Sequence, residues 1–375
     1  MAGIYLHIPF CKQACNYCDF HFSTSTKLKS NFVEALLKEM SLRKEYLDGE
    51  KIHSIYFGGG TPSLLSKEEL KLIFDALYNL FDIDENAEIT LEANPDDLNF
   101  EKLQVLKNSP VNRLSIGIQS FREEDLLFMN RAHNAKEAYS VVTSCRAMGF
   151  DNLSIDLIYG TPGLSDEAWK ENLQIAFDLG VSHISSYALT VEEKTALYQQ
   201  IKKGLLAPVD EAQSADQFKI LMSEMLKNGY EQYEISNFCL PGHYSRHNSS
   251  YWKKDKYLGL GPSAHSFHGD SRLWNVANNA IYIKAINAGE LPFEEEVLST
   301  IDAYNEYVMT SLRTVWGCDT KQIKKDFSEE LASCFVEEAK AYLLDGHLEE
   351  KSGVYYLSQS GKLLADRIAS DLFKV

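Results

Sequence analysis

The stretch CKQACNYCDF, residues 11–20, places three cysteines within eight residues: Cys11, Cys15 and Cys18, at the spacing CxxxCxxC. Thiolates clustered so tightly bind a soft metal ion or an iron–sulfur cluster. A structural zinc site takes four protein ligands, usually from two separated CxxC pairs, so zinc here would need His7 or His21 as the fourth ligand. A [4Fe–4S] cluster held by three cysteines instead keeps one iron without a protein ligand, open to a molecule from solution.

Predicted strands and helices alternate along the chain from residue 3 to about residue 200. Six short β-rich runs are each followed by a segment whose apolar residues recur at helical spacing, and they cover residues 3–9, 54–60, 88–95, 113–120, 152–160 and 183–190. Such alternation predicts parallel pairing with right-handed crossovers, in an open sheet or a barrel. Glycine and polar residues follow the ends of successive runs, and in βα folds ligands bind at that edge.

The alternation of strands and helices ends at about residue 200, which indicates that further structural units follow. We predict a core over residues 1–240, a connecting segment rich in histidine and aromatic residues over 241–300, and a carboxyl-terminal domain over 301–375. The last unit is mainly helical with a hairpin near its end, an order that resembles a winged helix. It carries 9 basic and 13 acidic side chains, which favours a packing or partner role over DNA binding.

Charge and composition narrow the setting. The 37 basic and 54 acidic residues give a net charge of −17, which disfavours nucleic acid as a ligand. The sequence contains no apolar run that approaches the roughly 18 residues of a membrane span, and its opening lacks the pattern of a secretion signal, so we expect a cytoplasmic protein. The four remaining cysteines are scattered and are expected to be buried, inert thiols: Cys145, Cys239, Cys318 and Cys334.

The cysteine motif, on the loop after the first strand of a βα barrel, resembles the signature of the radical S-adenosylmethionine (SAM) superfamily. Further motifs are similar to its HemN/HemW branch and cover nearly the whole chain: YLHIPFC (5–11), YFGGGTPS (56–63), LEANP (91–95), SIGIQSF (115–121), NRAH (130–133) and DLIYGTPG (156–163). The resemblance implies a partial (β/α)6 TIM-like barrel with a small helical, winged-helix-like carboxyl domain. It also implies a [4Fe–4S] cluster whose open iron is chelated by SAM, and reductive cleavage of SAM to methionine and a 5′-deoxyadenosyl radical.

The same resemblance implies a role for each matching residue. Cys11, Cys15 and Cys18 would hold the cluster. The residues expected to surround SAM are Tyr5 beside the cluster, Tyr17 at the adenine, the backbone of Gly59, Gly60 and Thr61 at the methionine amino group, Glu92 at the ribose, Arg131 at the carboxylate, and Gln119 and Asp156 in the polar ring. Taken alone, Arg131 would be read as a solvated charge at a helix end.

Within this branch, two features separate oxygen-independent coproporphyrinogen III dehydrogenases from heme chaperones of the HemW type. The dehydrogenases carry a further cysteine two positions after the third, where this chain has Phe20, and a longer segment ahead of the cluster, where this chain has ten residues. RHNSSYW, residues 246–252, is similar to the HNxxYW motif associated with heme binding, which implies His247 as the iron ligand candidate, supported by Asn248, Tyr251 and Trp252. Alone, a histidine in an aromatic loop is more often a structural residue.

We therefore expect a heme chaperone that binds a [4Fe–4S] cluster, SAM and heme and passes heme to acceptor proteins. Whether it is also an enzyme stays open, because the cofactor residues are complete while dehydrogenase activity is not expected. Turnover of SAM would require an electron donor such as a flavodoxin or ferredoxin. The alternatives are the coproporphyrinogen dehydrogenase itself and a cluster protein with another substrate, such as a methyltransferase.

Overall fold

The computed structural model describes residues 2–374, which contain fifteen β-strands and fifteen α-helices. Six strands pair in chain order, each parallel to the next: β1 (Ala2–Ile8), β2 (Ile52–Gly59), β3 (Ile83–Ala93), β4 (Arg113–Gln119), β5 (Leu153–Tyr159) and β6 (His183–Ala188). Their connections contain α1 (Lys29–Leu42), α2 (Lys67–Leu80), α3 (Phe100–Lys107), α4 (Glu123–Phe128), α5 (Ala135–Ala147) and α6 (Asp166–Asp178). The predicted partial (β/α)6 barrel is confirmed.

The sheet continues beyond both ends of this unit, to twelve strands. Next to β6 lie the antiparallel strands β7 (Glu231–Glu234) and β8 (Asn237–Cys239). On the other side β9 (Lys256–Leu260) pairs parallel with β1, and β10 (His265–Phe267), β11 (Ser271–Asn275) and β12 (Phe293–Val297) follow in antiparallel order. The helices in this part are α7 (Ala196–Lys202), α8 (Glu211–Lys227), α9 (Arg246–Trp252) and α10 (Asn279–Asn287).

Strands β9 to β12 were not predicted. They are three to five residues long, and they lie among glycines and histidines that hide any alternation of apolar and polar residues. Four strands within residues 241–300, the segment predicted as a connection, therefore belong to the main sheet. The edges of the sheet are β7 and β12, so the barrel stays open.

The alternation of side chains along β1 decides which face of the sheet carries function. Ile4, Leu6 and Ile8 are fully buried in the main hydrophobic core. Tyr5 and His7 point to the opposite face because successive side chains of a strand alternate. Their partners in β2 are Tyr56 and Gly58, so aromatic and polar groups from neighbouring strands face one interior.

Helix α2 begins at a capping box. Ser66 Oγ accepts the backbone N–H of Glu69 at 3.2 Å, and Glu69 Oε2 accepts the N–H of Ser66 at 2.7 Å. The two side chains satisfy N–H groups that the first helical turn leaves free, which stabilises the helix by about 1 kcal/mol.

The carboxyl-terminal unit has its own hydrophobic core, which includes Tyr304, Phe335 and Ile368. Its helices are α11 (Thr300–Leu312), α12 (Thr320–Asp326), α13 (Glu329–Leu344), α14 (Gln359–Lys362) and α15 (Ala365–Asp371), and its small sheet consists of β13 (Cys318–Asp319), β14 (Leu348–Lys351) and β15 (Val354–Leu357). The mainly helical, winged-helix-like character is confirmed, while the bounds of the three domains stay a prediction.

The helices and the scattered cysteines bear on two general predictions from the sequence. Within residues 2–374, no helix is both long and apolar enough to cross a membrane. All seven cysteines are free thiols; three of the four scattered ones are buried as expected, whereas Cys334 on α13 is only half-buried.

Candidate functional site

The three cysteines lie on the loop that follows the carboxyl end of β1. Backbone hydrogen bonds tie the two ends of this loop together: the N–H of Cys11 donates to the carbonyl of Ser23 at 3.0 Å, and the N–H of Ser23 donates to the carbonyl of Pro9 at 2.9 Å. The thiols of Cys11, Cys15 and Cys18 are half-buried. One short loop therefore presents three sulfur donors, a ligand set typical of an iron–sulfur cluster.

Burial makes two of these thiols, Cys11 and Cys18, hard to ionise. It raises the pKa of Cys18 to about 11, with a further increase from the neighbouring Cys15 and Cys11, and it also raises the pKa of Cys11. A metal centre deprotonates its thiol ligands and compensates for this cost, so the donor set fits a bound metal centre. Within residues 2–374 no group of three or more His, Cys, Asp or Glu side chains is arranged to hold a single metal ion. A cluster does not require such convergence, because each of three irons takes one thiolate.

Arg131 reaches the cysteine loop from the segment after α4. Its guanidinium donates to Cys15 Sγ at 3.2 Å, to Asn94 Oδ1 at 2.6 Å and to the carbonyl of Gly117 at 2.7 Å. The Nε of Arg131 is buried and has no hydrogen-bond partner among residues 2–374. Buried N–H groups are rarely left unpaired, so this donor is suited to an acceptor from a ligand.

The glycine-rich end of β2 packs directly against the cysteine loop. The N–H of Gly60 donates to the carbonyl of Ile8 at 2.9 Å, and the N–H of Thr61 donates to the carbonyl of Phe10 at 2.7 Å. A Cβ at Gly60 would lie 2.6 Å from the Ile8 carbonyl oxygen, so this close approach requires glycine. An ammonium group has only hydrogen-bond donors, so at Gly59, Gly60 or Thr61 it would bind to backbone carbonyl oxygens.

Two carboxylates lie inside the barrel, Glu92 on β3 and Asp156 on β5. The hydroxyl of Tyr56 donates to Glu92 at 2.8 Å. Burial, with a smaller contribution from the charge of Asp156, raises the pKa of Glu92 to about 7, and burial raises the pKa of Asp156 to about 6. Desolvated carboxylates of this kind are ready to accept hydrogen bonds from ligand hydroxyls or to pair with a cation.

Gln119 ends β4 in the left-handed region, with φ +67°. This conformation is uncommon for a residue other than glycine, and such positions cluster at functional sites. A Cβ at Gly117 would lie 2.9 Å from Gln119 Nε2 and 3.3 Å from a guanidinium nitrogen of Arg131. Gly117 therefore allows both side chains to approach the sheet. Gly117 was not among the predicted site residues, although a glycine inside the strand SIGIQ is a signal of close approach.

The two predicted tyrosines lie on different elements. Tyr5 faces the interior of the barrel, where its hydroxyl lies 3.2 Å from His7 Nδ1 and its ring stacks on Tyr56 with centroids 6.2 Å apart. Tyr17 packs against the small apolar cluster that contains Met129 and Leu197. Burial raises the pKa of Tyr17, while the positive charge of Arg131 opposes that shift. Their roles toward a nucleotide stay predictions.

The HNxxYW motif forms helix α9, capped at its start by the carboxylate of Glu88. Glu88 accepts the backbone N–H groups of Arg246 and His247, each at 3.1 Å. His247 is 1% exposed; its Nδ1 lies 2.8 Å from Ser54 Oγ and its Nε2 lies 2.8 Å from Tyr251 Oη. Both ring nitrogens are thus occupied, which argues against the prediction that His247 binds an iron directly.

A cavity of about 480 Å³ lies beside the cysteine loop, between the barrel and the carboxyl-terminal unit. The segment Asp19–His21, which directly follows Cys18, forms one wall; the motif residues Tyr251 and Trp252 line another. Asn248 is half-buried and does not line this cavity. The structure therefore brings two of the four predicted heme residues to a cavity surface.

Comparisons with known proteins fit this geometry. Two family models match: the Radical SAM superfamily over residues 5–176 and the HemN C-terminal domain over residues 298–364. The chain is 34% identical over 371 residues to the heme chaperone HemW of Bacillus subtilis, covering 98% of each chain. It is 34% identical over 375 residues to HemW of Mycobacterium tuberculosis (strain H37Rv), covering 99% of this chain and 94% of the relative.

A solved structure with the same fold is coproporphyrinogen III oxidase (HemN) from Escherichia coli, described as a Radical SAM enzyme. Its TM-score is 0.86, with 23% sequence identity, over 100% of this chain and 90% of that chain. At this identity the likeness concerns the fold alone.

Proposed function

Since the chain belongs to the HemW family within the radical SAM superfamily, we propose that it is a heme chaperone that binds a [4Fe–4S] cluster, SAM and heme and transfers the heme to acceptor proteins. The observation that carries the proposal is the position of Asp19–His21. This segment follows the last cysteine of the motif and also forms a wall of the aromatic cavity. A loop suited to a cluster and a cavity suited to a flat apolar ligand are therefore directly joined.

Cys11, Cys15 and Cys18 would hold the cluster through their sulfurs. When bound, such a cluster supplies single electrons and one iron that is open to an external ligand. Arg131 supports this assignment in two ways. Its guanidinium donates a hydrogen bond to Cys15 Sγ at 3.2 Å, and its buried, unpaired Nε can donate to the carboxylate of an amino acid bound at the open iron.

SAM would lie along the carboxyl ends of the strands. The close packing of Gly60 against the loop, the buried carboxylates of Glu92 and Asp156, and the left-handed Gln119 support this location. We keep the predicted roles: Gly59, Gly60 and Thr61 at the amino group, Glu92 at the ribose, Tyr17 at the adenine and Tyr5 beside the cluster. Whether SAM is consumed is a separate question, and an electron donor such as a flavodoxin or ferredoxin would be needed only in that case.

The acceptors would be proteins that require heme. A net charge of −17 supports protein partners over nucleic acid. We propose the cytoplasm as the compartment, since seven free thiols suit a reducing environment.

The alternative is oxygen-independent dehydrogenation of coproporphyrinogen III. The fold match to HemN is equally compatible with it. Phe20 argues against it, because this position carries a further cysteine in those dehydrogenases. Its side chain is 72% exposed at the cavity wall, where it offers an apolar surface in place of a thiol.

The test presents hemin and coproporphyrinogen III in parallel to the anaerobically reconstituted protein, with SAM and a reductant. We expect a bound-heme spectrum, passage of that heme to a heme-free acceptor such as apomyoglobin, and no protoporphyrinogen. Appreciable decarboxylated product, or no binding of hemin, would overturn the chaperone assignment.

A further inference from the structure

The cavity beside the cysteine loop has the size and the walls of a ligand site. Its volume of about 480 Å³ lies within the range of about 300–1,000 Å³ that is usual for small-molecule sites. Strand β9 contributes Tyr257 and β10 contributes Phe267, which are paired in the sheet. Trp252 of α9 and the exposed ring of Phe20 complete an apolar, aromatic lining. Such a lining suits the face of a porphyrin.

Three histidines line this cavity, and the structure distinguishes them by their hydrogen bonds. His7 Nε2 lies 2.8 Å from the carbonyl oxygen of His21, and its Nδ1 lies near the hydroxyl of Tyr5. His21 Nε2 lies 2.7 Å from Asn279 Oδ1. His265 is exposed, and neither of its ring nitrogens has a hydrogen-bond partner among residues 2–374. Within that range, His265 is therefore the cavity histidine with both nitrogens available.

The strand that carries His265 holds its ring toward the cavity. His265 and Phe267 are two residues apart on β10, so they share one face of the strand. The His265 ring also stacks on Trp274, its partner in β11, with centroids 6.1 Å apart.

Two cations line the same cavity, Lys254 and Arg272. Lys254 Nζ donates to the carbonyl of Ala303 at 2.7 Å, and Arg272 pairs with Glu306 at 2.7 Å. Glu306 also lines the cavity, and each cation keeps further N–H groups that can donate to a second carboxylate. Heme carries two propionates, and this wall presents two cationic side chains to them.

We propose that this cavity is the heme site, with His265 as the iron ligand and His247 as a positioning residue that holds Tyr251 in the cavity wall. The inference rests on the proposed chaperone function and adds the location and the ligand. The position of His247 supports a positioning role, because this residue does not line the cavity and its Nε2 lies 2.8 Å from Oη of Tyr251, which does.

Hemin titration of the full chain tests the proposal, using protein with its cluster reconstituted so that the cysteines are occupied. We expect His265→Ala to weaken hemin binding by about tenfold or more and to shift the Soret band in the difference spectrum, with added imidazole restoring the band. His268→Ala is the matched control. It removes a neighbouring histidine that contacts Asp48 at 2.9 Å and does not line the cavity, so it should behave as the unchanged chain.

A second variant tests the location without removing a ligand. Thr310 lines the cavity from α11, and Thr310→Trp should fill part of it and weaken hemin binding while the residual complex keeps the histidine-type band. An unchanged affinity and band in His265→Ala would overturn the ligand assignment, and unchanged binding in Thr310→Trp would overturn the location. Failure of the unchanged chain to bind hemin would instead refute the chaperone function itself.

Discussion

Replacing Gly60 by alanine should displace the cysteine loop and lower the iron content of the protein. The added Cβ would lie 2.6 Å from the carbonyl oxygen of Ile8 and 2.8 Å from the backbone nitrogen and carbonyl oxygen of Phe10. These contacts are too short to tolerate, and backbone atoms cannot rotate away as a flexible side chain can. The loop that carries Cys11 must therefore move.

The magnitude follows from the contacts that hold Gly60 in place. Relief of the overlap costs about 1–3 kcal/mol, as for other overpacked sites. The hydrogen bonds of Gly60 to Ile8 and of Thr61 to Phe10, at 2.9 and 2.7 Å, contribute about 0.5–1.5 kcal/mol each and would be strained or lost. We expect the free energy of unfolding to fall by about 2–6 kcal/mol, and the iron and sulfide content after anaerobic reconstitution to fall with it.

Gly163→Ala provides the control, because a Cβ there would meet nothing within 4 Å while φ is +85°. It should cost about 1–2 kcal/mol from backbone strain alone and leave the iron content unchanged. Iron content is measured per chain, and stability by urea unfolding. If Gly60→Ala kept the iron content and the stability of the unchanged chain, the close packing of turn and loop would be refuted as a requirement of the site.

Three further predictions concern other parts of the molecule. Alanine at any cysteine of the motif should abolish the cluster in iron and sulfide assays, while alanine at two cysteines outside it should not; equal iron in all five variants, Cys11, Cys15, Cys18, Cys145 and Cys334, would end the metal assignment. Because burial raises the pKa of Glu92 to about 7, the affinity for SAM should rise between pH 6 and 8 as the carboxylate ionises. Equilibrium dialysis should show a weaker pH dependence of SAM affinity in Glu92→Gln. An equal pH dependence in both proteins would contradict the role at the ribose. Burial lowers the pKa of His247 to about 3, so below about pH 6.5 the unfolded chain binds a proton that the folded chain does not, and the protein loses stability as the pH falls. In urea unfolding at pH 7, His247→Gln should lower the free energy of unfolding by about 1–3 kcal/mol, and this variant should lose less stability on acidification. A pH dependence as steep as that of the unchanged chain would count against a buried neutral ring.

Local sequence patterns predicted most of the fold. The six parallel strands were predicted because each is a β-rich run that is followed by a helical segment. Strands β9 to β12 escaped prediction because short strands gain their definition from neighbours. Strand β9 exists as a strand through its pairing with β1, more than 240 residues earlier in the chain.

Part of the candidate site was likewise predictable from local sequence, and part depended on tertiary structure. The sequence by itself determined the three sulfur donors, because their spacing is local, and the carboxylates and glycines at the strand ends, because parallel strands bring those ends to one edge. Only the tertiary structure decided which side chains meet. The contact of Arg131 with Cys15 spans 116 residues, and the contact of His247 Nδ1 with Ser54 Oγ spans 193 residues. Burial and hydrogen-bond partners depend on distances across the fold, which no local pattern encodes, and for that reason the free histidine of the cavity, His265, became visible only once strands, helix and loop were assembled around it.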